Sequence, residues 1–304
     1  MNINSNCIIL GSRKSELAQK HISILEESIR ENKRIKDVTV IKKFFKTSGD
    51  LFQDKNISEL GNKGLFSKQI DEALLASEIN LGVHSLKDLP TVLPDGLEIA
   101  AVLKREDFRD AVLSNKNLSL LELKKNSVIG TSSVRRSVQL KKIRPDFIVK
   151  DIRGNVDTRI RKLKTNDFDA IVLAVAGLKR LHCREKYKII NTDLIAPSLG
   201  QGAIALVVNK KNKLINKVIN RLNDPKTSIE TECERIFLNA LDGSCETPVG
   251  GFAVLENQNK ILFNYTAFSK DGLVKISDKV IFNIESFRSE SHDLGVKVKK
   301  KIDR

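Results

Sequence analysis

Arginines recur in this chain where short apolar runs end. Arg13 follows the run at residues 7–10 and precedes Ser15, a plausible helix cap. Thr131-Ser132-Ser133 follows Gly130 and leads into Arg135-Arg136; Arg153 precedes Gly154-Asn155, with Arg159 a turn further on; Arg180 follows Ala176-Gly177. If each run is a strand and each following stretch a helix, these side chains gather at strand ends beside helix N-termini. Free N–H groups and a partial positive charge favour anions there, and hydroxyls with guanidinium forks complete a carboxylate or phosphate site. Any single arginine is as well explained as a solvated face charge. The repeated placement points instead to a ligand with several negative charges.

Two further stretches could carry chemistry. In His84-Ser85-Leu86-Lys87-Asp88-Leu89-Pro90, an acid stands among many arginines just after an apolar run at residues 80–84. At a cleft rim Asp88 would hold a cationic intermediate or an N–H group; on an open surface Lys87 and Asp88 are an ordinary ion pair before a proline turn. In Asp242-Gly243-Ser244-Cys245-Glu246-Thr247-Pro248, a thiol follows a helical pattern and sits on a loop. It reads as a nucleophile or covalent attachment point, or else as an inert buried cysteine. The flanking acids Asp242 and Glu246 disfavour a thiolate, which suits slow, once-only attachment better than turnover at sulfur. Lys63, in Gly61-Asn62-Lys63-Gly64, belongs to a polar segment over residues 47–64 that reads either as a lid or as a surface loop.

Strands must alternate with helices to place these groups. Apolar runs at residues 7–10, 38–45, 80–84, 97–103, 128–130, 147–152, 170–175 and 203–208 read as strands. Between them lie helical patterns, the clearest being Leu17, Ala18, Ile22, Leu25 and Ile29. This alternation predicts parallel α/β sheets with ligands at the strand carboxyl ends. The charged stretch 104–110 reads as a crossing into a second domain. After residue 223 the pattern changes to a helix over 227–241, a hairpin of 261–268 with 273–276 around Asp271-Gly272, and a final helix from about residue 286, a small α+β module.

Composition narrows the function. The 304 residues hold 53 Lys and Arg against 38 Asp and Glu, a net charge of +15 that favours anionic partners. Aromatics are only 5%, without Trp, so stacking on nucleic-acid bases is poorly supported. The four cysteines (Cys7, Cys183, Cys233, Cys245) form no CxxC pair and the four histidines have no ligand spacing, so neither a metal site nor a disulfide framework is expected. No apolar run approaches membrane-helix length, and residues 1–10 lack signal-peptide character. A soluble, cytoplasmic chain is expected, without nucleic-acid or membrane partners.

The ordered set of motifs resembles the porphobilinogen deaminase (hydroxymethylbilane synthase) family from residue 9 to about residue 254. The motifs are Arg13-x-Ser15-x-Leu17-Ala18, Val83 to Pro90, Gly130 to Arg136, Arg153 to Arg159, Ala174 to Arg180, Gly200-Gln201-Gly202-Ala203, and Glu234-Arg235 leading to Gly243-Ser244-Cys245 and Pro248-Val249-Gly250. The resemblance implies two doubly wound domains like type II periplasmic binding proteins and a small C-terminal α+β domain, at residues 1–103 with 200–222, 104–199 and 223–304. It implies a monomeric transferase of tetrapyrrole and haem biosynthesis, with a dipyrromethane cofactor joined to Cys245 by a thioether. Four porphobilinogen molecules are then added with loss of ammonia, and water releases hydroxymethylbilane.

By the same resemblance Asp88 is the catalytic acid. Ser85, Lys87, Thr131, Ser132, Ser133, Arg135, Arg136, Gly154 and Gln201 join Asp88 and Cys245 at the cofactor, while Arg13, Ser15, Lys63, Arg153, Arg159 and Arg180 meet substrate. His21 and Glu59 depart from the family pattern. The arginines then have a reason: every unit brings two carboxylates, and two such charges ~6 Å apart repel by roughly 3 kcal/mol at an effective dielectric of ~20. A non-catalytic carboxylate-binding protein of the same fold would account for the arginines but not for Asp88, Cys245 or the third domain.

Overall fold

The computed structural model describes residues 7–35, 38–46, 67–243 and 247–303. It divides into two compact units, Met1–Arg105 with Ala203–Ile229, and Glu106–Gly202 with Glu230–Arg304. The chain starts with β1 (Cys7–Arg13), α1 (Glu16–Glu31), β2 (Thr39–Phe45), α2 (Lys68–Leu75), β3 (Leu81–Ser85) and β4 (Leu97–Val102). Ser15 caps α1 by accepting from Ala18 N, and the helix buries Ala18, Ile22, Leu25 and Ile29, its 3.6-residue stripe.

Past Arg105 come β5 (Asp110–Ser114), β6 (Val128–Gly130), α3 (Val134–Ile143), β7 (Ile148–Lys150), α4 (Val156–Lys164), β8 (Ala170–Ala174), α5 (Val175–Arg180) and β9 (Lys188–Ile189). The chain returns to the first unit with β10 (Ile204–Asn209) and α6 (Lys213–Asn220), then continues through α7 (Pro225–Ala240). β11 (Val249–Asn257), β12 (Lys260–Phe268), β13 (Lys275–Asn283) and α8 (Phe287–Ile302) complete it.

The fold is two five-stranded α/β sheets and a small three-stranded antiparallel sheet with helices, in strand orders β2-β1-β3-β10-β4, β7-β6-β8-β5-β9 and β11-β12-β13. The large sheets are mixed, which corrects the expectation of parallel sheets. β10 runs antiparallel to β3 and β4, and β5 antiparallel to β8 and β9. The cause is topological: each reversed strand is the first one the chain lays down after passing from the other unit. No helical crossover within the same sheet precedes it, so nothing imposes parallel pairing.

The central strands of both sheets are buried on their two faces. In β10, Ile204, Leu206 and Val208 join α1 and α6 in one core, while Ala205 and Val207 face α2 in another. In β5, Val112 faces one core and Ala111 and Leu113 the other. Unbroken apolar runs therefore serve as central strands.

The C-terminal layer packs rings: Phe263 lies 4.9 Å from Phe237 and 5.7 Å from Tyr265 between centroids. Sequence reading missed β5, β9, β11 and α6 and started β13 two residues early. Ser269 holds residues 271–274 in a turn, its N–H donating to Val274 O at 3.1 Å and its hydroxyl accepting from Val274 N at 2.9 Å.

Gly295 fixes how closely α8 approaches α7. A Cβ there would stand 2.6 Å from Ala240 Cβ and 2.7 Å from Phe237 O, a backbone atom that cannot turn aside. Gly295→Ala is expected to cost about 1–3 kcal/mol by overpacking. Thermal unfolding followed by circular dichroism checks this: the midpoint falls by about several degrees, whereas an unchanged midpoint would mean that the two helices separate freely.

Candidate active site

In the first unit, the carboxyl ends of adjacent parallel strands gather the expected residues. Arg13 is the last residue of β1, and Ser85 the last of β3; β1 and β3 pair at Leu10–Leu81 and Gly11–Gly82. One 3₁₀ turn, Leu86–Asp88, follows directly and leaves Lys87 and Asp88 half-buried at that end. Leu86 anchors the turn: its side chain is buried and its N–H donates to Ala203 O at 3.0 Å. Asp88 makes no hydrogen bond or ion pair among the described residues, so both carboxylate oxygens are available to a ligand. Its neighbour His84 is buried, and desolvation followed by the charge of Arg13 lowers its pKa to about 4, which keeps the ring neutral. Ser15 contributes a helix cap at this end. His21 is buried on α1.

In the second unit, three adjacent parallel strands end in candidate residues. β6 hands over to Thr131-Ser132-Ser133 and α3, β7 to Arg153-Gly154, and β8 to α5 and Arg180. The hydroxyls shape the first handover. Thr131 Oγ1 accepts from Ser133 N at 3.2 Å, Ser132 Oγ donates to Ile152 O at 2.8 Å, and Ser133 caps α3. Gly154 has φ +110°, and a Cβ there would lie 2.7 Å from Thr158 Cγ2, so this tight turn requires glycine. Arg159 braces the turn by donating from Nε to Gly154 O at 2.7 Å. Arg180 donates to Gly202 O at 2.6 Å, and its burial lowers its pKa to about 10.

Arg135 and Arg136 are buried, with 4% and 6% exposure, against a residue that sequence reading did not single out. Asp110, fully buried, accepts from Arg136 Nη2 (2.7 Å) and Gln201 Nε2 (2.8 Å) on Oδ1, and from Arg135 Nη2 (2.9 Å) and Arg136 Nε (3.2 Å) on Oδ2. Arg135 also donates to Ala196 O at 2.5 Å and Arg136 to Val172 O at 2.9 Å. Gln139 holds Ala196 through both its backbone N–H and C=O. Burial alone would raise the Asp110 pKa, but the charges of Arg135 and Arg136 and the hydrogen bonds from Arg136 and Gln201 outweigh it and hold the carboxyl well below its ordinary range. The available signal was an acid at the head of the run Ala111-Val112-Leu113. Because β5 is reversed, its amino end lies beside Ala174, at the carboxyl end of β8.

Lys63, Glu59 and Cys245 lie outside the described residues. Among the described cysteines, Cys7 and Cys183 are half-buried; Cys233 is fully buried, and desolvation pushes its pKa far up, leaving it an unreactive thiol. Among the described residues no group of three or more His, Cys, Asp or Glu is placed to hold a metal ion, and no helix is long and apolar enough to cross a membrane.

The guanidinium groups of the second unit suit an anionic ligand; in the first unit Asp88, which has no partner among the described residues, suits a ligand with N–H groups. Comparison with known proteins agrees with that chemistry. Residues 8–217 match the family model described as "Porphobilinogen deaminase, dipyromethane cofactor binding domain", and residues 228–304 match its C-terminal domain. The porphobilinogen deaminase of Sulfurimonas denitrificans is 40% identical over 295 residues, spanning 95% of this chain and 92% of that protein. That of Bacillus subtilis is 40% identical over 283 residues, 91% and 88% of the two chains. Among solved structures, the methionine binding protein MetQ is similar with a TM-score of 0.44 and 14% identity, over 74% of this chain and 93% of that one.

The buried Asp110 makes stability depend on pH in a defined direction. A carboxylate whose folded pKa is depressed stabilises the fold above its unfolded pKa of about 4, and that contribution is lost as pH falls toward the folded value. The wild-type melting midpoint should therefore drop below about pH 4, and Asp110→Ala should cost about 3–5 kcal/mol at neutral pH, because it leaves buried charges without their partner. Melting curves from pH 7 downward test this; a variant as stable as the wild type at pH 7 would contradict it.

Proposed function

The chain belongs to the porphobilinogen deaminase family, and from that premise we propose that Asp88 and the strand-end arginines divide the work of its reaction. It is a transferase: porphobilinogen units are condensed with loss of ammonia on a dipyrromethane primer, and hydrolysis releases hydroxymethylbilane. When bound, the dipyrromethane supplies the free pyrrole α-carbon to which the first incoming unit is joined. The residues suit this group: pyrrole N–H donors need an acceptor, and both oxygens of Asp88 are uncommitted among the described residues; acetate and propionate groups need cations, which end β1 and follow β6, β7 and β8.

Loss of ammonia from porphobilinogen leaves an electron-poor methylene conjugated to the pyrrole nitrogen. Asp88, as the carboxylate, accepts the pyrrole N–H and opposes the positive charge while it lasts. A charge pair about 4 Å apart at an effective dielectric of ~20 is stabilised by about 4 kcal/mol. That corresponds to a factor of about 10³ in rate if it is felt only when the cation forms. Lys87 stands beside it and Ser85 ends the strand before it. Arg13 and Ser15 belong to the same sheet end. In the second unit, Arg153, Arg159 and Arg180 hold substrate carboxylates, while Thr131, Ser132, Ser133, Arg135, Arg136, Gly154 and Gln201 form the surroundings of the primer. Each charge-assisted hydrogen bond so made contributes about 1.5–3 kcal/mol. Cys245 carries the primer through a thioether, a bond that asks for an accessible sulfur and resists hydrolysis over many cycles. Lys63 serves as a further anion contact.

One observation carries this assignment: an acid without a partner among the described residues ends a turn fixed by a buried leucine, at the same sheet end as Arg13. Asp88→Asn keeps the shape and removes the charge. It should lower turnover by about 10²–10³-fold and leave the melting midpoint in place, because Asp88 bonds to none of the described residues. Hydroxymethylbilane formation at a near-normal rate would remove Asp88 from the catalytic role.

A further inference from the structure

The Asp110 cluster is unbalanced. Both oxygens of Asp110 accept two hydrogen bonds each, which fills the four lone-pair positions of a carboxylate. Among the described residues, Arg135 commits two of its five N–H bonds and Arg136 three, so three and two remain there. Among the described residues, the one acid paired with either guanidinium is Asp110. Two buried cations with one buried anion leave one positive charge in excess, with donors to spare, at the first turn of α3.

A buried excess charge is costly unless an anion meets it. Orientation matters as much as charge, since a guanidinium fork binds a carboxylate well only when its plane is held. Asp110 provides that hold. It takes Arg136 through Nε and Nη2 together, ties Arg135 by Nη2, and is itself fixed by Gln201. We propose that Asp110 is the positioning residue of the cofactor site: it orients the Arg135–Arg136 pair and leaves it one net positive charge, to be met by a pyrrole side-chain carboxylate. This rests on the reading that the arginine pair surrounds the primer. Asp110 itself touches no ligand, because it has no acceptor site left.

The account makes an unusual prediction about sign. Removing the negative charge of Asp110 makes the pair more positive, so an account from charge alone expects tighter anion capture; positioning expects weaker capture. The test uses the full-length chain prepared without its cofactor, incubated with porphobilinogen well below each variant's melting midpoint. Intact mass then follows the covalent mass gain with time. For Asp110→Asn, the porphobilinogen concentration giving half-maximal loading should rise at least tenfold. An unchanged or lower concentration in the folded variant would overturn the proposal.

Asp110→Glu serves if the Asn variant does not fold. It keeps the charge but moves the carboxylate by one methylene, and should raise the same concentration at least threefold; a wild-type value overturns the proposal. Arg135→Gln and Arg136→Gln separate the two readings. If both load as the wild type does, the arginine pair does not meet the primer and both readings fall. If they load poorly while Asp110→Asn loads normally, only the role of Asp110 falls.

Discussion

Two guanidinium groups and one carboxylate, all out of water, set the strictest requirement in this fold. Asp110 must reach Arg135, Arg136 and Gln201 at once, and those side chains come from a strand, a helix and a loop that are far apart in sequence. β5 has to run against β8 for its acid to stand where β8 ends, and α3 has to start directly after β6 for its first-turn arginines to meet that acid. Ala196 must in turn accept from Arg135, which Gln139 secures from the next turn of α3. A local error at any of these points strands a charge in the interior, and the penalty is of the order of the whole stability of a domain.

The same constraint explains why an arginine-rich site can exist in a folded chain at all. Guanidinium groups in one unit repel each other, and the fold counters this for four of them with local acceptors. Asp110 serves the pair on α3, Gly154 O serves Arg159, and Gly202 O serves Arg180. In the proposed function, a ligand rich in carboxylates would complete the balance that these fixed groups leave open. In the first unit the logic is inverted. There Asp88 is held in a rigid turn without such a partner among the described residues, so its charge is not spent within the fold.

Much of this was legible in the sequence, and the failures have identifiable causes. The stripe of α1 was readable because Ala18, Ile22, Leu25 and Ile29 recur at helical spacing with a serine cap before them. The strand end at Gly130 was readable because a short apolar run stops abruptly at polar residues, whereas β1 runs three residues past the expected 7–10 to Arg13 and β3 one past 84 to Ser85. β5 was not, since the charged stretch before it drew attention to a crossing and its apolar part spans only Ala111 to Leu113. β11 was hidden by Gly250-Gly251, a pair that breaks an apolar strand pattern. The structure shows them as close approaches instead: a Cβ on Gly250 would meet Ala196 O at 2.5 Å. The importance of Asp110 could not be read because it depends on strand direction, and reversal of β5 follows from chain path rather than from any local pattern.

The central claim is that this chain carries a primer made from its own substrate on Cys245, with the buried and strand-end cations arranged to receive that primer's carboxylates. The most direct test is the intact mass of the purified protein beside a Cys245→Ser variant, both incubated with porphobilinogen. The account predicts that the wild-type chain exceeds its sequence mass by two porphobilinogen units less two molecules of ammonia, and that the variant shows no excess. A folded wild-type chain that stays at its sequence mass, or a variant that gains the same mass, would contradict it.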